Sequence, residues 1–129
     1  MSEPVVSIDV SRIHQGKLEE LKRAMKELVE FVDANETRPL LYSVYFNDDH
    51  TEMTVLQVHP DSASMEFHMD VAGSEFRGLS EFLTLLRIDI YGKASDRLVD
   101  QMRQKAKLLG NAAVVVHERH AGLARLGDR

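Results

Sequence analysis

The chain has no cysteine and no tryptophan, and only 6% of its 129 residues are aromatic. Without cysteine there is no disulfide framework, no cysteine-based zinc site and no thiol nucleophile. No apolar run approaches the roughly 20 residues that cross a bilayer. The opening residues, 1–4, lack the basic and apolar segments of a signal peptide. We therefore expect a cytoplasmic protein with no membrane partner.

Neither sign of charge dominates, with 16 basic and 21 acidic residues and a net charge of −5. No nucleic-acid partner is expected, because phosphate contacts need clustered lysine and arginine. The charges are nevertheless uneven, since residues 47–81 are acidic and the stretch from Arg97 onward is basic. We interpret these segments as complementary surfaces, such as those of two subunits that meet. A basic tail for polyanions is the less favoured alternative, because no aromatic residues interleave with it.

What the sequence does contain is an alternation of strand and helix patterns in one domain, residues 1–129, with 43% apolar residues. Period-two patterns predict strands at 5–13, 51–59 and 86–91, and β-branched and aromatic residues predict strands at 40–46 and 112–117. Apolar stripes and capping residues predict helices at 17–35, at 60–71 with a second piece at 74–85, and at 96–109.

The predicted element order is β-α-β-β-α-β followed by an extra α-β pair. It predicts an α+β fold with a ferredoxin-like antiparallel sheet and helices on one face. The core would span about residues 5–91 and the extension about 95–120. The Val114-Val115-Val116 run is apolar on both faces, so we expect the last strand to be buried, at the edge of its own sheet or across a partner subunit.

The alternation also assigns strand residues to the two faces of the predicted sheet. Apolar residues would face the helices, namely Val6, Ile8, Val10, Leu56, Val58, Ile88 and Ile90. The helix-free face would then carry Ser7, Asp9, Ser11, Met53, Val55, Gln57, His59, Arg87, Asp89 and Tyr91. Ser43 and Tyr45 would join it if Tyr42, Val44 and Phe46 face the helices.

A mixture of apolar and polar side chains on one face is typical of a small-molecule site. The candidate substrate-binding residues are therefore Asp9, Tyr45, Met53, Gln57, Arg87, Asp89 and Tyr91. The alternative is a subunit interface in which ion pairs, such as Arg87 with Asp9 or Asp89, satisfy each other.

Three local features between residues 5 and 91 resemble the antibiotic biosynthesis monooxygenase superfamily. They are a turn and long helix beginning His14-Gln15-Gly16-Lys17, a capped helix Pro60-Asp61-Ser62 leading to His68, and a pause at Ala72-Gly73 before Ser74-Glu75-Phe76. The resemblance implies a homodimer, a dimeric α+β barrel in which two sheets pack face to face. It also implies cofactor-independent oxygenation of quinols or polyketide aromatics, or haem degradation. Members of the haem-degrading branch carry an Asn, His, Trp constellation. This chain has no tryptophan, so the resemblance argues against haem degradation of that kind.

His68 matches the histidine of the family's short helix and is the first candidate for a catalytic residue, with His59 as the second. An imidazole can remove a proton from a phenol or hydroquinone, and the resulting anion can pass an electron to oxygen. No cofactor is expected. No metal is expected either, since His117-Glu118-Arg119-His120 is not the His-Glu-x-x-His motif of a helix.

These observations favour a cofactor-independent monooxygenase of a small aromatic or quinol-like substrate, acting as a homodimer. The alternative is a non-catalytic dimeric ligand-binding or interaction module. That alternative is motivated by the missing tryptophan and by the absence of the family's second helix histidine near Ser74-Glu75. An isomerase or other proton-transfer enzyme on the same fold is a third, weaker hypothesis.

Overall fold

A computed structural model describes residues 3–126. Its strands are β1 (Val5–Ile13), β2 (Leu41–Phe46), β3 (Glu52–His59), β4 (Leu83–Tyr91) and β5 (Ala113–His117). Its helices are α1 (Leu18–Asn35), α2 (Ser62–Ala72) and α3 (Asp96–Leu109), with a 3₁₀ segment at Gly73–Glu81. Within residues 3–126, no helix combines the length and the apolar character needed to cross a membrane.

The five strands form one sheet in the order β2-β3-β1-β4-β5. The β1–β3, β1–β4 and β2–β3 pairs are antiparallel, and β5 runs parallel to β4 at the sheet edge. All three helices contribute to a core against one face of this sheet. The predicted α+β, ferredoxin-like architecture with an extra α-β pair is confirmed, and β5 pairs within its own chain.

Local sequence signals account for the helix boundaries. The apolar stripe of α1 is buried as predicted. The Asp61 carboxylate accepts a hydrogen bond from the Ser64 amide at 2.9 Å and caps α2, while the Ser95 hydroxyl accepts from the Leu98 amide and caps α3. Gly110 ends α3 with a φ of 154°, where a side chain would meet the Leu85 carbonyl at 2.8 Å. These ends are therefore fixed by chemistry visible in the sequence.

The segment 74–85 is where the element prediction is wrong. The structure has a 3₁₀ segment that ends at Glu81, and β4 begins at Leu83 rather than at Leu86. Leu83 and Leu85 alternate with Thr84 and are buried. A register shift between the pairs Val10–Arg87 and Ser11–Leu85 leaves Leu86 out of the ladder. This irregularity breaks the period-two pattern and makes the strand resemble a helix in sequence.

The predicted faces are reversed for β1 and β3. The residues buried beneath the helices are Val5, Ser7, Asp9, Ser11, Met53, Val55, Gln57 and His59. The helix-free face instead carries Val6, Ile8, Val10, Leu56 and Val58, all half-buried. The prediction is correct for β2 and β4, since Tyr42, Val44, Phe46, Ile88 and Ile90 belong to the helix side. Polar groups can occupy an inner face when each finds a hydrogen-bond partner.

Two further expectations need correction. Val115 and Val116 are each 45% exposed, so β5 is not buried in the single chain, although Val114 packs against the core. The acidic and basic segments already meet within one chain, because Arg97 of α3 pairs with the Glu66 and Asp70 carboxylates of α2 at 3.1 and 2.8 Å. Contact between subunits is not needed to explain that charge pattern.

Candidate functional site

A buried histidine–carboxylate pair lies where α2 packs near the end of α1. The His68 Nδ1 atom is 2.8 Å from Glu36 Oε2, and the two side chains are 0% and 1% exposed. The Glu36 carboxylate accepts a hydrogen bond from the proton on Nδ1, and in the neutral imidazole this places the lone pair on Nε2. Nε2 is buried and has no hydrogen-bond partner among residues 3–126. In that form His68 presents a buried acceptor whose orientation is fixed by Glu36.

Three rings surround the His68 imidazole. The ring centroids of Tyr42, His59 and Phe76 lie 5.1, 5.9 and 6.0 Å from that of His68. Burial, together with the nearby charges of Asp9 and Glu36, raises the pKa of the Tyr42 phenol. Tyr42 therefore stays protonated, and it can donate a hydrogen bond but cannot act as a base at neutral pH.

His59 is tied into a second chain of hydrogen bonds. The Ser64 hydroxyl lies 2.7 Å from His59 Nδ1, and Gln57 Oε1 lies 3.0 Å from Nε2. Burial, and to a smaller extent the neighbouring His68, lowers the pKa of His59 to about 4. His59 is thus neutral with both nitrogens occupied, which suits it to orienting the Gln57 amide, whose Nε2 is buried without a partner in the described chain.

An ion pair lies on the same side of the sheet. Lys105 Nζ of α3 is 2.6 Å from Asp9 Oδ2, and the Ser7 hydroxyl donates to Asp9 Oδ1 at 3.1 Å. The Lys105 ammonium also lies 4.5 Å from the centre of the Phe76 ring. Both charged side chains are more than nine-tenths buried, and each partner therefore compensates the desolvation of the other.

A small cavity of about 20 Å³ adjoins this ion pair. Its lining includes Asp9, Lys105, Tyr42, Phe76 and Met53. Tyr42 and Phe76 also flank His68, so these two side chains border both the cavity and the histidine ring. The volume is enough for about one water molecule, and a larger ligand would need a wall to move.

The helix-free face carries a separate polar cluster at its β4–β5 end. Arg87 Nε donates to Asp89 Oδ2 at 2.7 Å, and His117 Nε2 lies 2.8 Å from Asp89 Oδ1. Tyr91 stacks on His117 with 4.3 Å between ring centres. Burial alone would raise the pKa of Asp89, but the hydrogen bonds from His117 and Arg87 leave it below its usual value. Arg87 thus pairs with Asp89, not with Asp9.

The sheet therefore divides the predicted site residues into two groups. On the helix side lie His68, His59, Asp9, Met53 and Gln57. On the helix-free side lie Tyr45, Arg87, Asp89 and Tyr91. A single pocket cannot be built from both groups, and the oriented histidine belongs to the first. No group of three or more metal-binding side chains occurs within residues 3–126.

Two charged residues of the helix side were missed by sequence reasoning. Glu36 lies four residues after Val32 and continues the apolar stripe of α1, and Lys105 interrupts the buried stripe of α3 between Met102 and Leu109. A charge in an apolar stripe is a usable signal, because it must find a buried partner. The sequence does not say which partner.

No protein-family model and no curated protein matches this sequence significantly. Solved structures do match. MupZ from Pseudomonas fluorescens superimposes with a TM-score of 0.74 at 16% identity, covering 97% of this chain and 91% of that chain. A conserved protein from Methanosarcina mazei gives a TM-score of 0.62 at 23% identity, covering 73% and 95%. A candidate antibiotic biosynthesis monooxygenase from Caulobacter crescentus gives 0.60 at 15% identity, covering 69% and 86%.

The chain therefore shares the fold of the antibiotic biosynthesis monooxygenase superfamily, as the resemblance in sequence implied. The three matches differ in how much of this chain they cover. A match that covers 97% of the chain includes α3 and β5, so the α-β extension has a counterpart in MupZ. At these identities the likeness concerns the fold, and function has to be argued from the site.

Proposed function

We propose that the protein is a cofactor-independent monooxygenase of a small aromatic or quinol-like substrate. The observation that carries the proposal is the His68–Glu36 pair, with a 2.8 Å hydrogen bond on Nδ1 and an unpartnered Nε2. A buried base held in one tautomer by a carboxylate is suited to taking a proton from a substrate hydroxyl. The imidazolium that results is stabilised by the Glu36 charge.

The remaining steps need only the substrate and dioxygen. The deprotonated substrate passes one electron to dioxygen, which gives a substrate radical and superoxide. Their recombination forms a carbon–oxygen bond and gives a peroxide anion. The oxygen–oxygen bond then breaks while the hydrogen on the same carbon passes as a proton to the departing oxygen, which leaves as hydroxide. The hydroxide that departs takes the proton held by His68, so that one oxygen atom enters the product as a carbonyl and the other leaves as water.

Oxygen uptake tests the proposal directly. A panel of hydroquinones and anthrone-like compounds should give uptake with the wild-type chain, and His68→Ala should reduce it by on the order of a hundredfold or more, in the range of a lost general base. The matched control is His120→Ala, because His120 is exposed and far along the chain from the site. Uptake that survives in His68→Ala would remove His68 from the mechanism.

A non-catalytic ligand-binding module remains the second candidate function. The observation that favours it is the absence of tryptophan and of a second helix histidine near Ser74-Glu75, both of which the resembling family carries. Thermal-shift screening separates the two. An aromatic compound that raises the melting temperature without oxygen uptake favours binding alone, whereas turnover of any panel member excludes it.

We also propose that a second copy of the chain covers the helix-free face. The support is the apolar row on β1 and β3, Val6, Ile8, Val10, Leu56 and Val58, together with Leu41, Tyr45 and Val115, which are exposed in the single chain. Exposed apolar faces of this kind mark interfaces. Light scattering should report a dimer near neutral pH, and Ile8→Asp should shift it to monomer. A wild-type monomer would refute this assembly.

A further inference from the structure

A groove of about 260 Å³ runs along the C-terminal end of α1 and the start of β2. Three carboxylates line it, those of Glu30, Asp33 and Glu36, and its lining residues include no lysine, arginine or histidine. Glu30 and Asp33 are exposed, whereas Glu36 is buried. The groove therefore offers a one-sided negative field to anything that enters it.

Glu36 connects this groove to the candidate site. Its Oε2 atom is 2.8 Å from His68 Nδ1, and its Oε1 atom is buried without a hydrogen-bond partner among residues 3–126. A buried carboxylate oxygen without a donor is costly, and a ligand that supplies the donor recovers that cost. The unsatisfied atom belongs to a residue that lines the groove, so a donor arriving through the groove is the natural partner.

Tyr42 is the second residue that the groove shares with the interior. It lines both the groove and the 20 Å³ cavity, and its ring lies 5.1 Å from that of His68. It belongs to β2, which is an edge strand of the sheet with β3 as its single neighbour. Displacement of this one side chain would join groove and cavity into a site of substrate size.

We propose that this groove is the ligand-binding entrance to the His68 site, and that it selects aromatic ligands carrying a protonated amine. The ammonium group donates to Glu36 Oε1 and faces the carboxylates of Glu30 and Asp33, while the ring passes Tyr42 towards His68. The inference rests on the proposed function in taking His68 as the group that the ring must reach. Ligands with a carboxylate in the same place are rejected by charge repulsion.

Three phenols of similar shape test the selection, and because the change is made in the ligand, folding is not affected. Tyramine carries an ammonium, ethylphenol carries no charge, and hydroxyphenylacetate carries a carboxylate. Calorimetric or NMR titration should rank affinity in that order, with on the order of tenfold between the first and last, since two of the three carboxylates are solvent-exposed. Hydroxyphenylacetate that binds as tightly as tyramine would overturn the proposal.

A double variant, Glu30→Gln with Asp33→Asn, localises the effect. It should reduce the preference for tyramine over hydroxyphenylacetate by about threefold or more while leaving ethylphenol affinity unchanged, and added salt should reduce the wild-type preference in the same way. The matched control, Glu19→Gln with Glu20→Gln, neutralises two carboxylates in the first turn of the same helix. An equal loss in both double variants would mean that net charge, and not the groove, sets the preference.

The position of the bound ligand gives a last, independent readout. Tyramine should shift the amide resonances of Glu36 and Tyr42 and leave those of Arg87 and Asp89 unchanged; the reverse would refute the groove. The outcome also separates this inference from the proposed function. Tyramine bound in the groove without oxygen uptake by any phenol contradicts the oxygenase and supports the groove. Uptake without any charge preference contradicts the groove alone.

Discussion

The two faces of the sheet differ in a way that runs against the usual pattern. The face beneath the helices carries Asp9, Gln57 and His59, all buried, while the face without helices carries Val6, Ile8 and Val10. Polar groups are inside because they are tied to one another and to the helices, through Lys105 and Ser64 above all. Buried polar groups within an otherwise apolar inner face, beside apolar residues on the outer face, support the proposed inner site and the proposed second copy on the outer face.

One ion pair from each face sharpens this difference, Lys105–Asp9 on the helix side and Arg87–Asp89 on the helix-free side, and the first gives the largest expected effect. Lys105→Met leaves the Asp9 carboxylate buried without its cation, and we expect a loss of about 3–5 kcal/mol in the free energy of unfolding. The measurement is denaturant unfolding at neutral pH. The double variant Asp9→Asn with Lys105→Met removes both charges and should recover much of the loss.

The matched change on the helix-free face is Arg87→Met. The Arg87 side chain is 59% exposed, and Asp89 keeps its hydrogen bond from His117, so we expect a loss below about 1 kcal/mol. Equal losses for Lys105→Met and Arg87→Met would mean that the two faces do not differ in the way described above.

The next largest expected effect is a loss of stability as the pH is lowered. The pKa of His59 is about 4 in the folded chain against 6.5 for a free imidazole, so the unfolded chain binds more protons below pH 6.5. The contribution of neutral His59 to the free energy of unfolding is therefore fully present above pH 6.5. It decreases as the pH falls from 6.5 towards 4, and the total loss is about 3 kcal/mol once His59 is protonated in both states.

Urea unfolding across this pH range checks the effect. The variant His59→Gln removes the titrating group and should flatten the dependence, whereas His120→Gln, at an exposed position, should keep it. A wild-type profile identical to that of His59→Gln would show that His59 is not held neutral by its buried surroundings.

An effect smaller than those of Lys105→Met and of acid concerns the orientation of His68. Glu36→Gln removes the charge that holds the Nδ1 proton while keeping the shape of the side chain. We expect oxygen uptake to fall about 10–100-fold, in the range found when the partner of an oriented histidine is lost. Glu27→Gln, on the exposed side of the same helix, is the matched control. Unchanged uptake in Glu36→Gln would leave Glu36 with a structural role.

Much of the fold follows from local signals. The helix stripes, the caps at Asp61 and Ser95, and the stop at Gly110 each depend on neighbours within a few residues. The boundary at Leu83 does not, because it depends on a register irregularity between β1 and β4. Long-range pairing decides such a feature, and a pattern read along one strand does not contain it.

Only part of the candidate site can be predicted from the sequence. His68 is identified by its place in a helix that resembles the family's, but Glu36, which orients it, lies 32 residues earlier along the chain. His59 was predicted as a second catalytic residue, and that role stays a prediction. Both of its nitrogens are already engaged in hydrogen bonds.

Outside the segment 74–85, the sequence by itself determined the strands, the helices and the existence of two chemically different sheet faces, because these depend on short-range periodicity and capping. Only the tertiary structure decided which face of β1 and β3 is inside. Alternation marks two faces equally well in either orientation. The choice depends on whether distant residues such as Lys105 and Ser64 satisfy the buried polar groups, and a chain read one residue at a time does not reveal those partners.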